Sequence, residues 1–503
     1  MDTILEILKG GAEGDEALAG PARAPLTYGG LRAQVARTRA ALAGLGIGAG
    51  DRVAIVLPNG PEAATSFLGV AAGAVAAPLN PNYKAPEFDF YLSDLRAKAV
   101  IVEAGSSSPV IDVAKQHGAA VIEAAWDSTD PAGTFDLKDV PLWDGPDLAS
   151  PSPDDEALVL HTSGTTSRPK IVPLSHRNLA TSAFNVAETL SLNNEDRCLN
   201  LMPLFHIHGL VAVILAGLRQ GGSVFCCPAF NPLKVFAWLD ESAANWYSAV
   251  PTFHQTILAR AGRNPESIER SALRFIRSSS ASLPPTVMTE LEALFGAPVV
   301  EAYGMTEAAH QMACNPLPPG TRKPGTVGPQ AGPDVAIMDE VGNLLEPGAT
   351  GEIVICGPNV FAGYENNSDA NATAFTNGWF RTGDQGVMDA DNYVTITGRL
   401  KEIINRGGEK ISPREVDEAL MEHPAVAQVV AFGMPDETLG ETVGAAVVLK
   451  PDTAATMPEI REFARTRLAS FKVPKKIVFV DEIPKGATGK LQRIGLAEKL
   501  GLG

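Results

Sequence analysis

Along the first 150 residues the apolar positions follow two rhythms. Residues 31–45 and 61–74 repeat apolar side chains at the three-to-four spacing of a helix that buries one face. Between and after them come short, almost continuous apolar runs, 52–57 and 99–103, and then another helical stretch through 113–117. Runs that are apolar on both faces suit strands covered by helices on either side, so the alternation predicts βαβ units and a parallel sheet. The pattern resumes at 157–160 and continues to about residue 335. From 335 to 394 the strands shorten and glycine-rich turns multiply, which predicts a small antiparallel barrel or sheet beside the main layers.

Beyond Gly398-Arg399-Leu400-Lys401-Glu402 the reading changes to a mixed one: strands at 403–405, 426–432, 443–449 and 477–480, helices at 413–422 and 457–468. The helix at 413 carries its own start signal, with Ser412 as N-cap, Pro413 in the first helical position and Glu415 to complete a capping box. These rhythms predict an α/β chain with a large N-terminal domain of layered βαβ sheets over residues 1–398, including a β-barrel or β-sheet subdomain at about 335–398. A hinge at 399–401 and a mobile α+β lid domain at 402–503 complete the expected organisation. The chain shows no internal repeat and no low-complexity tract.

Composition narrows the class. At 503 residues, 45% hydrophobic and 20% charged, the chain has ordinary globular composition, which excludes disordered, collagenous and disulfide-scaffold proteins. Its 48 Gly and 38 Pro supply many sharp turns, where small-molecule enzymes place their sites. The net charge of −17 repels nucleic acid and anionic membrane, so neither is an expected partner. After residue 401 the chain holds 14 Lys/Arg against 15 Asp/Glu, so nearly all of that charge belongs to the first 401 residues. Within 461–499 the balance is ten basic to four acidic, a tail suited to an anionic ligand. The five cysteines (Cys198, Cys226, Cys227, Cys314, Cys356) lack zinc spacing and read as reduced, buried small hydrophobes. The acidic N-terminus lacks a signal peptide's basic region, and no apolar stretch reaches ~18 residues. A cytoplasmic protein, monomeric or homodimeric, is expected.

The segment His161-Thr162-Ser163-Gly164-Thr165-Thr166-Ser167-Arg168-Pro169-Lys170 follows an apolar strand and concentrates hydroxyls, a glycine and two cations. Hydroxyls and free backbone N–H groups can surround phosphate oxygens while a lysine adds charge. The spacing is not that of a P-loop. Glu301-Ala302-Tyr303-Gly304-Met305-Thr306-Glu307 places an aromatic, a hydroxyl and a carboxylate at a strand end, where open α/β sheets bind ligands. Thr382-Gly383-Asp384 offers a carboxylate for two ribose hydroxyls, and Arg399 and Lys490 supply further cations.

Taken in order, TSGTTSRPK (162–170), PLFHIHG (203–209), EAYGMTE (301–307), TGD (382–384), GRLKE (398–402) and PKGATGK (484–490) resemble the adenylate-forming superfamily of acyl-CoA synthetases, luciferases and peptide-synthetase adenylation domains. The resemblance covers essentially the whole chain. It implies ATP and CoA as co-substrates and Mg²⁺ as cofactor, an acyl-adenylate formed with loss of pyrophosphate, and transfer of the acyl group to a thiol. It assigns ATP contacts to Thr162, Ser163, Gly164, Thr165, Thr166, Lys170, Ser280, Glu301, Ala302, Tyr303, Thr306, Asp384, Arg399 and Lys490. Tyr303 would stack on adenine, Asp384 with Arg399 would hold the ribose, and Thr306 would meet the α-phosphate. The catalytic set it implies is Lys490, Thr306, Glu307 and His206, with Glu307 and Thr162 toward Mg²⁺. Lys401 matches the hinge, and Gly407, Gly408 and Lys472 lie where CoA would pass. The chain departs from the family loop in carrying Ser167 and Ile171 where glycine is usual, and its hinge residue is Lys where many relatives have Asp.

For the acid, the resemblance points to walls read here as His206-Ile207-His208, Ser278 to Ser282 and Ala308-Ala309-His310. Hydroxyls and imidazoles buried against a hydrocarbon tail would leave donors unpaired at ~1–3 kcal/mol each. They suit a small acid with a second carboxylate, held by His206, His208, Ser280 and His310. HTSGTTSRPK (161–170), RFIRSSSASL (274–283) and INRGGEKISP (404–413) resemble the oxalate–CoA ligases, which implies oxalate, with malonate or another short or coumarate-like acid as the alternative. The same motifs serve adenylation domains that load a carrier protein and luciferase-type oxygenases. The end of the chain 13 residues after Lys490 and the polar pocket argue for a ligase using free CoA.

Overall fold

The computed structural model describes residues 2–162, 169–484 and 491–503. Two large sheets form the N-terminal domain. In the first, the strands run in the order Asp136–Leu137, Ala120–Ala125, Ala99–Glu103, Arg52–Val56, Val75–Pro78, Glu156–His161 and Ile171–Ser175, with the inner five parallel and each edge strand antiparallel. In the second the order is His310–Cys314, Val299–Met305, Phe275–Ser278, Trp246–Ala249, Arg197–Asn200, Ser223–Cys226, Glu16–Ala19 and Leu26–Thr27. Its interior is again parallel, and both edges are antiparallel.

The helix Pro61–Ala71 shows why the two sheets hold together. Pro61 sets its first turn, and every one of its side chains is buried, because it lies between strands of both sheets and the helix Tyr28–Gly44. Gly69 lets the two helices meet: a Cβ there would stand 2.8 Å from Thr38 Cβ. Phe67, Leu68 and Val70 are wholly buried, each contributing on the order of 2 kcal/mol of apolar burial.

Residues 334–399 form the expected β-rich piece as an antiparallel five-stranded sheet: Asp334–Met338, Thr350–Cys356, Trp379–Met388 and Phe375–Thr376, with Val394–Arg399 paired to Trp379–Met388. The smaller C-terminal domain carries a mixed sheet of five strands under the helices Pro413–Met421 and Met457–Arg465. Ser412 caps the first of these helices by accepting from Glu415 N. The reciprocal half of the expected capping box is not made there, because the Glu415 carboxylate is held by Lys472 Nζ at 2.6 and 2.7 Å. The same Ser412 hydroxyl donates to the Thr397 carbonyl, and Arg414 Nη1 donates to the Ile396 carbonyl at 2.6 Å, so the first helix is pinned to the last strand before the boundary. Near the chain end Arg493 reaches back to Glu402 (3.0 Å) and Asp417 (2.7 Å).

Four cysteines are buried as expected and burial pushes the thiols of Cys198, Cys226, Cys227 and Cys314 up. Cys356 departs from the expectation: it ends a strand and is exposed. Among the described residues no helix is long and apolar enough to cross a membrane.

Candidate active site

Described motif residues from separate elements meet in three clusters. The strands Glu156–His161 and Ile171–Ser175 are antiparallel neighbours, and the loop between them is closed at its base by Thr162 N to the Lys170 carbonyl (2.9 Å), with Lys170 N reaching Thr162 Oγ1 at 3.4 Å. Ser163, Gly164, Thr165 and Thr166 lie outside the described residues, as does Lys490.

From this loop base Lys170 extends its ammonium over the Tyr364 ring, 4.1 Å from the centroid, and Tyr364 donates to Glu307 Oε1 at 2.8 Å. Glu307 is 6% exposed and sits in a 3₁₀ turn, Thr306–Ala308, whose backbone is anchored by Phe361 N to the Glu307 carbonyl (2.8 Å). Burial pushes its carboxyl up while the Tyr364 hydroxyl opposes that shift. Lys170 is pushed down, first by burial and then by the charge of Lys401. Loop lysine, acidic turn and boundary lysine are therefore electrostatically in touch.

The second cluster is a cross-strand pair. Asp384 and Arg399 are register partners, and Arg399 Nε donates to Asp384 Oδ1 at 2.8 Å. Tyr303 donates its hydroxyl to the other carboxylate oxygen of Asp384, so one acidic group faces both a phenol and a guanidinium. The neighbouring Asp384 charge holds Arg399 above its ordinary range. Thr382 Oγ1 accepts from Asp384 N (3.1 Å) and donates to the Ile353 carbonyl (2.7 Å), which fixes the bend of the TGD motif. Glu301 and Ala302 lie earlier on the strand Val299–Met305. Glu301 accepts from Gly325 N at 3.2 Å, and burial raises its carboxyl to about 7.

The third cluster is the polar wall. His208 opens an eight-residue π-helix, His208–Leu215, a geometry that recurs at functional sites. Its ring nitrogens meet Ser280 Oγ (3.0 Å) and Ser248 Oγ (2.7 Å), and its ring lies 5.1 Å from that of His310. Ser280 and His310 both take left-handed backbone, φ 72° and 114°, a conformation costing about 1–3 kcal/mol for such residues. His206, two residues before that helix, stands beside Phe205, ring centroids 4.6 Å apart. The structure thus brings His208, Ser280 and His310 together as the sequence implied.

It adds one group that the motif reading passed over, Arg277, wholly buried on the strand Phe275–Ser278 and bonded to Ser248, His310 and Gln311. An arginine is normally read as solvent-facing. The signal was its place between Ile276 and Ser278 in a run of strand residues with no room for an exposed face.

Gly407 and Gly408 form the turn between Ile404–Arg406 and Glu409–Ile411, with φ 58° and 95°. Gly407 N donates to the Leu439 carbonyl and Lys472 pairs with Glu415, so their partners lie within the C-terminal domain.

A family model described as AMP-binding enzyme matches residues 11–365, and a second, AMP-binding enzyme C-terminal domain, matches 415–490. The chain is 45% identical over 473 residues to an oxalate–CoA ligase of Saccharomyces cerevisiae, covering 89% of this chain and 86% of that one. It is 47% identical over 456 residues to an oxalate–CoA ligase of Arabidopsis thaliana, covering 89% and 88%. Among solved structures, ATP-bound MatB from Rhodopseudomonas palustris superposes with a TM-score of 0.90 at 31% identity, covering 99% of this chain and 98% of that one.

Proposed function

The chain belongs to the family of AMP-binding enzymes and is an acid–thiol ligase acting on ATP and CoA, and from that premise we propose that its acid is oxalate, converted to oxalyl-CoA with release of AMP and pyrophosphate. The observation that carries the choice of acid is the wall of His208, Ser280 and His310, backed by a buried arginine, where a fatty or aromatic acid would require apolar lining.

In the first step a carboxylate oxygen of oxalate attacks the α-phosphorus of ATP, and the bond from that phosphorus to the bridging oxygen breaks as pyrophosphate leaves. Two anions must meet, so the protein's work is positioning and charge neutralisation. Asp384 is placed to accept from the ribose hydroxyls once it exchanges the Tyr303 hydroxyl for them. Tyr303 then offers its ring to the adenine, and Arg399 keeps the carboxylate oriented. In this reading Thr162, Thr306 and Lys170 would contact the phosphates, and Ser163 to Thr166 would share that role. Lys490 bridges the acid and the α-phosphate.

A Mg²⁺ ion fits this donor set. Glu307 is a buried carboxylate that accepts from the neutral Tyr364 hydroxyl on Oε1, and no cage of three or more His, Cys, Asp or Glu exists among the described residues. That combination suits an ion held mostly by ATP oxygens and water, with Glu307 and the Thr162 hydroxyl nearby. When bound, it would offset polyphosphate charge.

In the second step the CoA sulfur attacks the oxalyl carbonyl, the carbon–oxygen bond to AMP breaks, and the thiol proton passes to solvent. Rotation about Lys401 would withdraw Lys490 and bring the Gly407-Gly408 turn and Lys472 toward the thiol.

AMP formation assayed with oxalate, malonate, acetate, octanoate and coumarate, each with CoA, tests the reading. Oxalate should give the highest kcat/KM, and His310→Ala should raise the oxalate KM at least about tenfold while leaving the ATP KM within about twofold. Preference for malonate would reassign the acid, and an unchanged oxalate KM in His310→Ala would remove that residue from the pocket.

A further inference from the structure

Two charged groups from separate motifs meet on one aromatic ring. Tyr364 donates its hydroxyl to Glu307 Oε1 at 2.8 Å, and the face of its ring carries the Lys170 ammonium 4.1 Å from the centroid. Glu307 and Lys170 are therefore neighbours with the ring between them. Glu307 acts on Lys170 only through its charge, after burial and the charge of Lys401. Lys170 acts on Glu307 after burial, the Tyr364 hydroxyl, the backbone N–H of Glu307 and the charge of Arg399. A carboxylate and an ammonium so little exposed ordinarily close into a contact pair, since their attraction strengthens as water is withdrawn. Here each has a neutral partner instead, a phenol for one and a ring face for the other.

The ring is buried and braced on several sides. Asn371, on the helix Ser368–Ala374, clasps the Tyr364 backbone: its Oδ1 accepts from Tyr364 N at 2.8 Å and its Nδ2 donates to the Tyr364 carbonyl at 2.7 Å. Phe361 stands edge-on to the ring, centroids 4.9 Å apart, and its own N–H holds the Glu307 carbonyl at 2.8 Å. On the other side Glu365 N donates to the Ile171 carbonyl at 3.2 Å, one residue from Lys170. Both Nη atoms of Arg52 bond the Glu365 carboxylate, and Nη2 also reaches Glu156 at 3.2 Å, at the start of the strand that leads into the loop. Ring, acidic turn and loop base therefore form one unit, and moving the ring aside means breaking these bonds.

We propose that Tyr364 is a positioning residue for ATP binding: its ring is a spacer that keeps Glu307 and Lys170 close but unpaired, so that both charges stay available to the nucleotide. This rests on reading Lys170 as a phosphate contact and Glu307 as the carboxylate toward Mg²⁺. A direct Lys170–Glu307 pair would satisfy both groups, and it would have to be broken before either could serve. A cation on a ring face is held in place yet exchanges readily for a phosphate oxygen. The effect belongs to the polyphosphate, so AMP, which lacks it, does not sense the spacer.

Calorimetric titration of the full-length enzyme with Mg²⁺ and ATP, without any acid, reads binding in the absence of turnover, and AMP is the control ligand. Tyr364→Leu removes the flat face and the hydroxyl, whereas Tyr364→Phe removes the hydroxyl alone. Lys170→Ala should raise the Kd for Mg²⁺–ATP at least about tenfold in the wild-type background, and Tyr364→Leu should do the same. In the Tyr364→Leu background, where lysine and glutamate can pair, Lys170→Ala should cost less than about twofold or regain part of the affinity. Tyr364→Phe should lose less than about threefold, and AMP should bind every variant within about twofold of wild type. Additive losses in the cycle would overturn the spacer while leaving the phosphate reading in place. So would a loss in Tyr364→Phe as large as in Tyr364→Leu, or a parallel loss of AMP affinity, which is what a merely structural role gives. An unchanged Mg²⁺–ATP affinity in Lys170→Ala would remove the phosphate reading itself and the spacer with it. Where Tyr364→Leu does not melt cooperatively, Tyr364→Met takes its place, a slender flexible chain that refills the space beside Phe361, and the same cycle decides.

Discussion

Glu301 illustrates how one buried side chain makes stability depend on pH. Burial lifts its carboxyl from an ordinary value of 4.5 to about 7, against the pull of the Gly325 N–H. Between those values the unfolded chain surrenders a proton that the folded one keeps. The unfolded state then binds fewer protons, and stability falls as pH rises from 4.5 through 7. Glu301→Gln retains an acceptor for Gly325 and removes the ionisation, so it should gain on the order of 2 kcal/mol at pH 8 and almost nothing at pH 4.5. Melting temperatures at the two pH values check this, and equal gains at both would assign the effect to shape. At this scale the sequence was readable where chemistry sits in a recognisable string: Tyr303, Asp384 and Arg399, drawn from three separate motifs, meet in one hydrogen-bonded cluster. Arg277 was not, because its meaning comes from Ser248 and Gln311, which are 29 and 34 residues away in the chain.

Elements were legible to the extent that their burial is one-sided or complete. The strand at 99–103 and the helix starting at Pro413 stand where apolar rhythm and capping residues put them, since each is decided by local pattern. The π-helix His208–Leu215 was hidden, as a wholly buried run has no polar face to display a period. The juncture of Val299–Met305 with His310–Cys314 was hidden too. Their antiparallel pairing slips between Tyr303 and Gly304, and a Cβ on Gly304 would lie 1.8 Å from the His310 carbonyl oxygen. Gly304→Ala must therefore push the His310 strand away, at a cost of about 1–3 kcal/mol. The expected result is a lower melting temperature together with an acid KM raised by more than about tenfold while the Asp384 side of the site keeps its ATP affinity. Calorimetry and initial-rate kinetics on the same preparation would check it, and a pocket with unchanged acid KM would mean that the slip plays no part in placing His310.

At the scale of the molecule, the proposed function asks one small domain to serve two chemical steps. Among the described residues, three side-chain bonds tie it to the large domain: Ser412 to the Thr397 carbonyl, Arg414 to the Ile396 carbonyl, and Ser282 Oγ to Glu418 at 3.4 Å. All involve exposed or half-buried groups, which a rotation about Lys401 could release at little cost. Under the proposed cycle Lys490→Ala should nearly abolish pyrophosphate release from ATP and oxalate but leave thioester formation from supplied oxalyl-adenylate within about threefold of wild type. Equal losses in both half-reactions would refute the division of labour. The sequence announced the border between domains by its change of rhythm and charge, but not the contacts across it, which depend on how two surfaces meet. Cys356 ends a strand of the large domain and is its exposed thiol, whereas the other four are sealed in the core. Without any engineered change to that domain, a maleimide dye can thus be attached at one native point, and energy transfer to a second dye on the small domain would follow the proposed swing in a single working enzyme.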